Sequence, residues 1–307
     1  MINREITYSI IIPHKNIPEL LQRCLDSIPR REDVQIIVVD DNSDTDKVDF
    51  EHFPGLGDPF IEIAFTKEGK GAGYARNIGL TKAVGKWLLF ADADDYFTDG
   101  FMDYIDKYKE FDYDLIYFGV LYKDIKNKKE PIGGKINSKA IFAAIESNNF
   151  EEYIYTSFVA IAPWGKIIKL NLIKKNSILF DETFVANDRM FSVKTSYHSK
   201  QTFIDSYKIY VREIRDGSLS RIKTKKAIYE RLYVYLRVNE YLKNIKKIKY
   251  KKNVLPFLIR LISIHDMSYF FKAIKLVKEY NVNLFIEISN FILLKVFHIN
   301  NKIKELK

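Results

Sequence analysis

The stretch KWLLFADADD, residues 86–95, decides how this chain reads. Its apolar run, Trp87 to Ala91, has no polar break, the pattern of a strand covered on both faces. It ends in Asp92, Asp94 and Asp95, three carboxylates in four positions. Carboxylates this close repel one another unless something pairs them. A divalent cation relieves that repulsion, and Mg2+ or Mn2+ favours oxygen ligands. Acidic residues also collect at helix N-termini for the sake of the dipole alone, so Asp95 and Asp99 have a plain structural reading as well.

Working outward, the same strand-then-polar-loop pattern recurs. Ile6 to Ile12 is a β-rich run that Pro13 is expected to end, followed by His14, Lys15 and Asn16. Val34 to Val39 leads into Asp40, Asp41, Asn42, Ser43 and Asp44. Ile61 to Phe65 leads into the glycine-rich segment Lys67 to Gly73, then Tyr74, Ala75, Arg76 and Asn77. Helical spacing separates these runs at Pro18 to Ser27, Ala72 to Ala83 (with Gly85 placed to end it) and Phe101 to Tyr108, before a further strand at Leu115 to Val120. Continuous apolar strands alternating with helices imply an α/β fold with a mostly parallel central sheet flanked by helices, Rossmann-like in its winding. Ligands of such sheets bind beyond the carboxyl ends of the strands, so all four polar loops are expected to meet at one edge. The glycines match neither GxGxxG nor GxxxxGK[ST], which argues against a dinucleotide dehydrogenase or a P-loop NTPase. They still allow backbone to approach a ligand, with Lys70 and Arg76 available to phosphate oxygens.

The second part is less regular. Tyr122 to Lys139 reads as a polar loop or hairpin, Ser138 to Glu146 as a helix, Asp188 to Ser199 as a helix and Thr202 to Arg212 as a strand. With 307 residues and 47% hydrophobic composition the chain can bury a core unaided, which excludes a wholly disordered protein. The single cysteine, Cys24, excludes a disulfide scaffold or a multi-cysteine zinc site, and its place on the apolar side of a helix makes it a packing residue. The five histidines show no paired metal spacing and read as surface or packing residues. The N-terminal sequence lacks the pattern of a secretory leader, and the expected location is cytoplasmic.

Four motifs stand in order: Ser9 to Pro13 (SIIIP), Val38 to Ser43 (VVDDNS), Ala75 to Leu80 (ARNIGL) and Phe90 to Asp95 (FADADD). Together they make the chain resemble the family 2 glycosyltransferases of the GT-A fold over about residues 7 to 220. The resemblance implies an inverting, metal-dependent transfer from a nucleotide-diphospho-sugar, usually a UDP-sugar, with Mn2+ or Mg2+. By the family pattern Asp40 meets the donor's base, Pro13 lies along the nucleoside, and Asp92 faces the ribose or phosphate. Asp94 coordinates the metal, and Arg76 sits near the nucleotide and the acidic cluster. Ala162 to Lys166 (APWGK) resembles the Trp-x-Lys segment before the acceptor region, which places Trp164 there. Phe180-Asp181-Glu182 and Asn187-Asp188-Arg189-Met190-Phe191 resemble the family's FDE and ED-x-x-F, whose second acidic residue is the general base, here Asp188. Arg215 to Ser220 (RDGSLS) resembles a closing segment over the site. Two positions depart from the pattern. Lys15 replaces the aromatic residue that stacks on the base, and Asn187 replaces the Glu before the catalytic Asp. The implied acceptor is a hydroxyl of a glycan or lipid-linked glycan of a bacterial surface polysaccharide.

The chain is expected to divide into a catalytic domain, residues 1–220, and a basic helical extension, 221–307. Within the first, 1–120 would bind the nucleotide-sugar and 121–220 the acceptor. From Arg221 onward there are 20 Lys+Arg and 6 Asp+Glu, a balance of +14, so the first 220 residues carry 29 and 34, a balance of −5. Such a tail suits an anionic partner or a solvated lysine-rich face. Leu284 to Ile299 is amphipathic rather than spanning, with Glu287, Asn290 and His298 near one face. Beside the lysines of Lys243 to Lys252 it suggests peripheral binding to an anionic membrane, at the inner face of the bacterial membrane. Packing on the catalytic body or on a second subunit is the structural alternative. Two other functions compete. A sugar nucleotidyltransferase carries a Gly-rich basic loop after its first strand, where this chain has Pro13-His14-Lys15-Asn16. A nucleic-acid-binding module would rest on the basic tail, but recognition motifs are missing and no nucleic acid is expected.

Overall fold

The computed structural model describes residues 5–124, 158, 161–215, 222–264 and 267–293. The expected helix at Ser138 to Glu146, most of the Tyr122 to Lys139 loop, and Asp216 to Ser220 lie outside the described residues. The chain forms two compact units, Met1–Ser218 and Leu219–Lys307.

The first unit is built in the order β1 (Tyr8–His14), α1 (Pro18–Asp26), β2 (Val34–Asp40), β3 (Ile61–Phe65), α2 (Ala72–Lys82) and β4 (Trp87–Phe90). It continues with β5 (Tyr96–Phe97), α3 (Phe101–Asp106), β6 (Leu115–Asp124), β7 (Lys166–Lys169), α4 (Leu170–Lys175), α5 (Arg189–His198) and β8 (Thr202–Ile214). These strands make one sheet in the order β3-β2-β1-β4-β7-β6-β8-β5. The β3-β2-β1-β4 half is parallel throughout, and β6 is parallel to β8. The pairings β4–β7, β6–β7 and β5–β8 are antiparallel, so the sheet is mixed. Alternate side chains fill two cores. Ile10 and Ile12 of β1, Val38 of β2 and Leu89 of β4 pack on the α1/α3 side, while Ile11, Val39 and Phe90 pack on the other with Phe180 and Phe191. Burial on both faces is why these strands read as unbroken apolar runs.

Four departures from the sequence reading have local causes. Pro13 does not end β1. The strand runs to His14, paired with β2 on one side, while its pairing with β4 stops at Ile11. Pro13 therefore lacks an N–H only where no ladder bond is needed on the other flank. Gly85 does not cap α2. It lies beside β1, where a Cβ would come within 2.7 Å of the Ser9 nitrogen. β6 continues through Asp124, past the expected loop start, because β8 pairs with it as far as Ile214. β7 and α4, in the stretch that had no clear periodicity, form because β4 and β6 offer edges on both sides of a four-residue strand.

The second unit has α6 (Lys225–Asn244), a short turn at Ile248–Tyr250, α7 (Leu255–Ser263) and α8 (Met267–Glu279). Ile228, Leu232 and Leu236 of α6, Leu258 and Leu261 of α7, and Ala273 and Val277 of α8 form its core. Residues 284–293 are helical. No helix among the described residues is long and apolar enough to cross a membrane.

Candidate active site

At the end of β1 and β2, Asp40 is 1% exposed and accepts three hydrogen bonds. His14 Nδ1 lies 2.7 Å from its Oδ1, the Ser43 hydroxyl donates to the same oxygen at 2.6 Å, and the Ser43 amide donates to Oδ2 at 2.9 Å. The Ile17 amide donates to His14 Nε2 at 3.1 Å, which leaves the ring proton on Nδ1, donated to Asp40. Burial pushes the Asp40 carboxyl up, but His14 and Ser43 together outweigh it and hold the group below its ordinary value. Asp41 organises the next loop. Its two oxygens accept the Lys70 amide at 3.0 Å and the Gly71 amide at 2.8 Å, and burial outweighs these bonds and raises its pKa. Gly71 meets this demand at φ +93, a left-handed conformation that a side chain would strain. Lys15 is exposed and donates to the Asp41 carbonyl at 2.8 Å. Pro13 is buried. Phe65, in register with Asp40, keeps 47% of its surface exposed while its ring meets Phe53 at 5.0 Å and Phe50 at 5.5 Å.

At the end of β4, carboxylate oxygens of Asp92, Asp94 and Asp95 lie within 4.8 Å of one another. The three are not equivalent. Asp95 is buried and already spent, accepting from the Tyr210 hydroxyl at 3.0 Å and the Glu213 amide at 2.8 Å. It ties the loop to β8, together with the Asp92 amide, which donates to the Tyr210 hydroxyl at 2.9 Å. Asp92 and Asp94 are partly exposed. Asp94 Oδ2 accepts from Arg215 Nε at 3.0 Å, and Arg23 donates to the Asp94 carbonyl at 2.8 Å while pairing with Glu213 at 2.7 Å. Burial first, then repulsion from Asp92, raises Asp94 despite Arg215, and burial with repulsion from both neighbours raises Asp95 well above its ordinary value. The cluster sets three carboxylates against two guanidiniums, Arg76 on Asp92 and Arg215 on Asp94. It fits a divalent cation, with Asp92 and Asp94 as the available ligands.

Arg76 joins this cluster to the segment before α5. It is buried on the first turns of α2. One amino group donates to Asn187 Oδ1 at 2.9 Å and the other to Asp92 Oδ1 at 2.5 Å, and its guanidinium lies 5.3 Å from the Phe180 ring centre. Asn187 thus makes a hydrogen bond here without adding a charge. Asp188 follows at the N-cap of α5, and its side chain makes no capping bond. Burial pushes the Asp188 carboxyl up, with Arg76 pulling the other way. Asn77 fixes the same segment, accepting from the Phe180 amide at 2.9 Å and donating to its carbonyl at 3.0 Å. Lys166 is buried with its ammonium 4.8 Å from the Tyr117 ring centre, and burial pushes it down to about 7 against the opposing pull of Asp188. Trp164 is a core residue, stacked on Tyr210 with ring centres 5.5 Å apart. Of the closing segment, Arg215 alone is described, on Asp94.

Gly73 is the tightest point of this assembly. A Cβ there would stand 2.0 Å from the Asp181 carbonyl oxygen. Ala in place of Gly normally stabilises a helix by about 1 kcal/mol. Here the clash reverses the sign. Gly73→Ala is expected to lower stability by about 1–3 kcal/mol, the range of overpacked sites, and to displace the segment carrying Asp188. A thermal melt at or above the wild-type midpoint would contradict this.

Of the residues singled out in the sequence, Arg76, Asp92, Asp94, Asn187 and Asp188 come together around the end of β4, and Asp40 lies at the end of β2. Their partners are less legible: His14 has no paired spacing, Asn77 belongs to a motif that assigns it no role, and Tyr210, Arg23 and Glu213 carry no sequence signal. The lone clue for His14 was its place at a strand's carboxyl end.

The glycosyl transferase family 2 model matches residues 9–162. The glycosyltransferase GlyA of Streptococcus pneumoniae serotype 4 is 28% identical over 232 residues, covering 71% of this chain. The poly(ribitol-phosphate) beta-glucosyltransferase of Bacillus spizizenii is 28% identical over 217 residues, covering 68% of this chain. The match takes in 32% of each of these curated relatives, so the chain spans about a third of their length. The crystal structure of S. aureus TarS 1-349 in complex with UDP-GlcNAc superposes with a TM-score of 0.62, covering 87% of this chain and 79% of that one. At 22% identity that likeness establishes the shared fold.

Proposed function

The chain belongs to glycosyl transferase family 2, and from that premise we propose that it transfers a sugar from a UDP-sugar to a hydroxyl of a glycan or lipid-linked glycan, with inversion, in bacterial surface polysaccharide synthesis at an anionic membrane face. The single observation that carries the reading is Arg76, which ties the Asp188 segment to Asp92 through one buried guanidinium. A base and a leaving-group site held by the same side chain are what a displacement between two substrates needs. A hydroxyl is a weak nucleophile, and Asp188 takes its proton as the new bond to the anomeric carbon forms. Attack on the face opposite the departing nucleoside diphosphate makes the reaction one displacement, hence inversion. Bound Mn2+ or Mg2+, held by Asp92 and Asp94, would supply a Lewis acid beside the diphosphate. Asp40, Pro13 and the glycine-rich loop on Asp41 form the nucleoside side of the edge. The exposed ring of Phe65, in register with Asp40, supports a stacking role for it where Lys15 has no ring face. The relatives' names support the polysaccharide setting, and TarS with UDP-GlcNAc supports a UDP donor.

The test is thermal stabilisation by UDP, GDP, CDP and TDP, each with Mn2+ or EDTA. UDP with Mn2+ at a hundredfold excess over Kd is expected to add about 2.7 kcal/mol, roughly 5–10 °C for a unit of this size. The shift disappears with EDTA and in Asp94→Ala. That variant alone melts no lower than wild type, because it relieves repulsion in the cluster. Equal shifts with and without metal would reject the metal-dependent donor site.

A further inference from the structure

The helix over residues 284–293 carries apolar side chains on both sides, Leu284 packing on the core of its unit while others face outward. Leu284, Glu287 and Phe291 point inward as partly buried residues. Glu287 is pinned there. Its carboxylate accepts the Val254 amide at 2.7 Å at the start of α7, and its carbonyl accepts from the Asn253 side chain at 2.6 Å. The outward stripe is apolar. Phe285 is 86% exposed, and Ile286, Ile288 and Ile292 are 56%, 42% and 54% exposed. Phe285, Ile288 and Ile292 follow i, i+3, i+7 and share one side. Single exposed apolar residues need no explanation, but a contiguous stripe on an anchored helix marks a contact surface.

Charge decides the occupant. Glu287 is the one acid between Asn281 and Leu293, and it is turned inward. Asn253, which holds the helix, directly follows Lys251 and Lys252, both exposed. An apolar stripe beside exposed lysines, with no outward acid, is the pattern of a helix lying in the interface of an anionic bilayer. We propose that the 284–293 helix is a membrane-docking element, its Phe285/Ile288/Ile292 stripe entering the headgroup boundary and Lys251 and Lys252 meeting anionic lipid heads. This rests on the membrane part of the function proposed above and is independent of the sugar transfer.

The full chain is tested by co-sedimentation with vesicles of phosphatidylcholine, with and without phosphatidylglycerol. Wild type is expected to sediment with the anionic vesicles. Phe285→Ser combined with Ile288→Ser lowers the partition coefficient by about tenfold or more, since each loses a ring or a branched side chain from the lipid. Lys251→Gln with Lys252→Gln also weakens it, and added salt does the same to wild type. In Phe285→Trp the new indole emission shifts to the blue on adding anionic vesicles. Both pairs change solvent-exposed side chains, and the UDP thermal shift, which reads the donor site separately, stays at its wild-type value. The proposal is overturned if wild type stays in the supernatant at low salt, or if the Phe285/Ile288 pair binds as wild type does, which leaves only charge. It is also overturned if light scattering shows a dimer that this pair turns into a monomer, which assigns the stripe to a second copy.

Discussion

Asp188→Asn is expected to lower kcat by about 10²- to 10⁴-fold, the range a positioned general base contributes, while leaving donor binding unchanged. The substitution keeps the size of the side chain and removes only its ability to take a proton. It costs the fold little, because the Asp188 side chain makes no capping hydrogen bond to α5. Its carboxyl is raised by burial, so losing the charge relieves a desolvation cost rather than creating one. The pH dependence gives a second, independent reading. A base works only when ionised. With burial raising Asp188 and Arg76 only partly offsetting it, activity is fully present above that raised pKa. It is lost as pH falls through it, so the acid limb of kcat/KM lies above the ordinary carboxylate range. The residual activity of Asp188→Asn lacks that limb. Retention of more than about a tenth of wild-type kcat, or an acid limb that survives the substitution, would move the base elsewhere.

The parts of the molecule legible in the sequence share one property: their signal is local. The apolar runs at β1, β2 and β4 are continuous because both sheet faces are covered, and the polar residues that follow them sit at the carboxyl edge by topology alone. What stayed hidden depends on partners far along the chain. β7 is four residues of KIIK that become a strand because β4 and β6 flank them. Asp95 looks like a third metal ligand until Tyr210, over a hundred positions later, takes its carboxylate. Glu287 reads as the polar face of an amphipathic helix, yet it points inward because Val254 presents an amide there. Asn187 looks like a lost charge. In the folded chain it accepts from Arg76, whose other amino group already faces Asp92. Hydrogen-bond geometry of this kind has no periodicity for a sequence pattern to show.

Arg76 carries the other large expected effect, because charge and shape can be separated at this position. Arg76→Met removes the cation between Asp92 and the Asp188 segment and leaves the three-carboxylate cluster with less to oppose its repulsion. Removing one partner of a wholly buried pair costs about 3–5 kcal/mol. Asp92 keeps 32% of its side chain in contact with solvent, so the expected loss here is smaller, about 2–4 kcal/mol. Combining Arg76→Met with Asp92→Asn is expected to recover part of that loss, since the amide needs no counter-charge; a double-mutant cycle from thermal melts reads the coupling. Arg76→Lys asks the other question. Lysine keeps the charge but has one ammonium in place of a fork, so it cannot hold Asn187 and Asp92 at once. This variant should melt within about 1–2 kcal/mol of wild type and still lose about a hundredfold or more in kcat, since a displacement of about 1 Å between base and leaving group is enough for that. If Arg76→Lys turned over at the wild-type rate, the guanidinium would serve only to neutralise the carboxylates, and the bridge would not be what aligns Asp188 with the acidic loop.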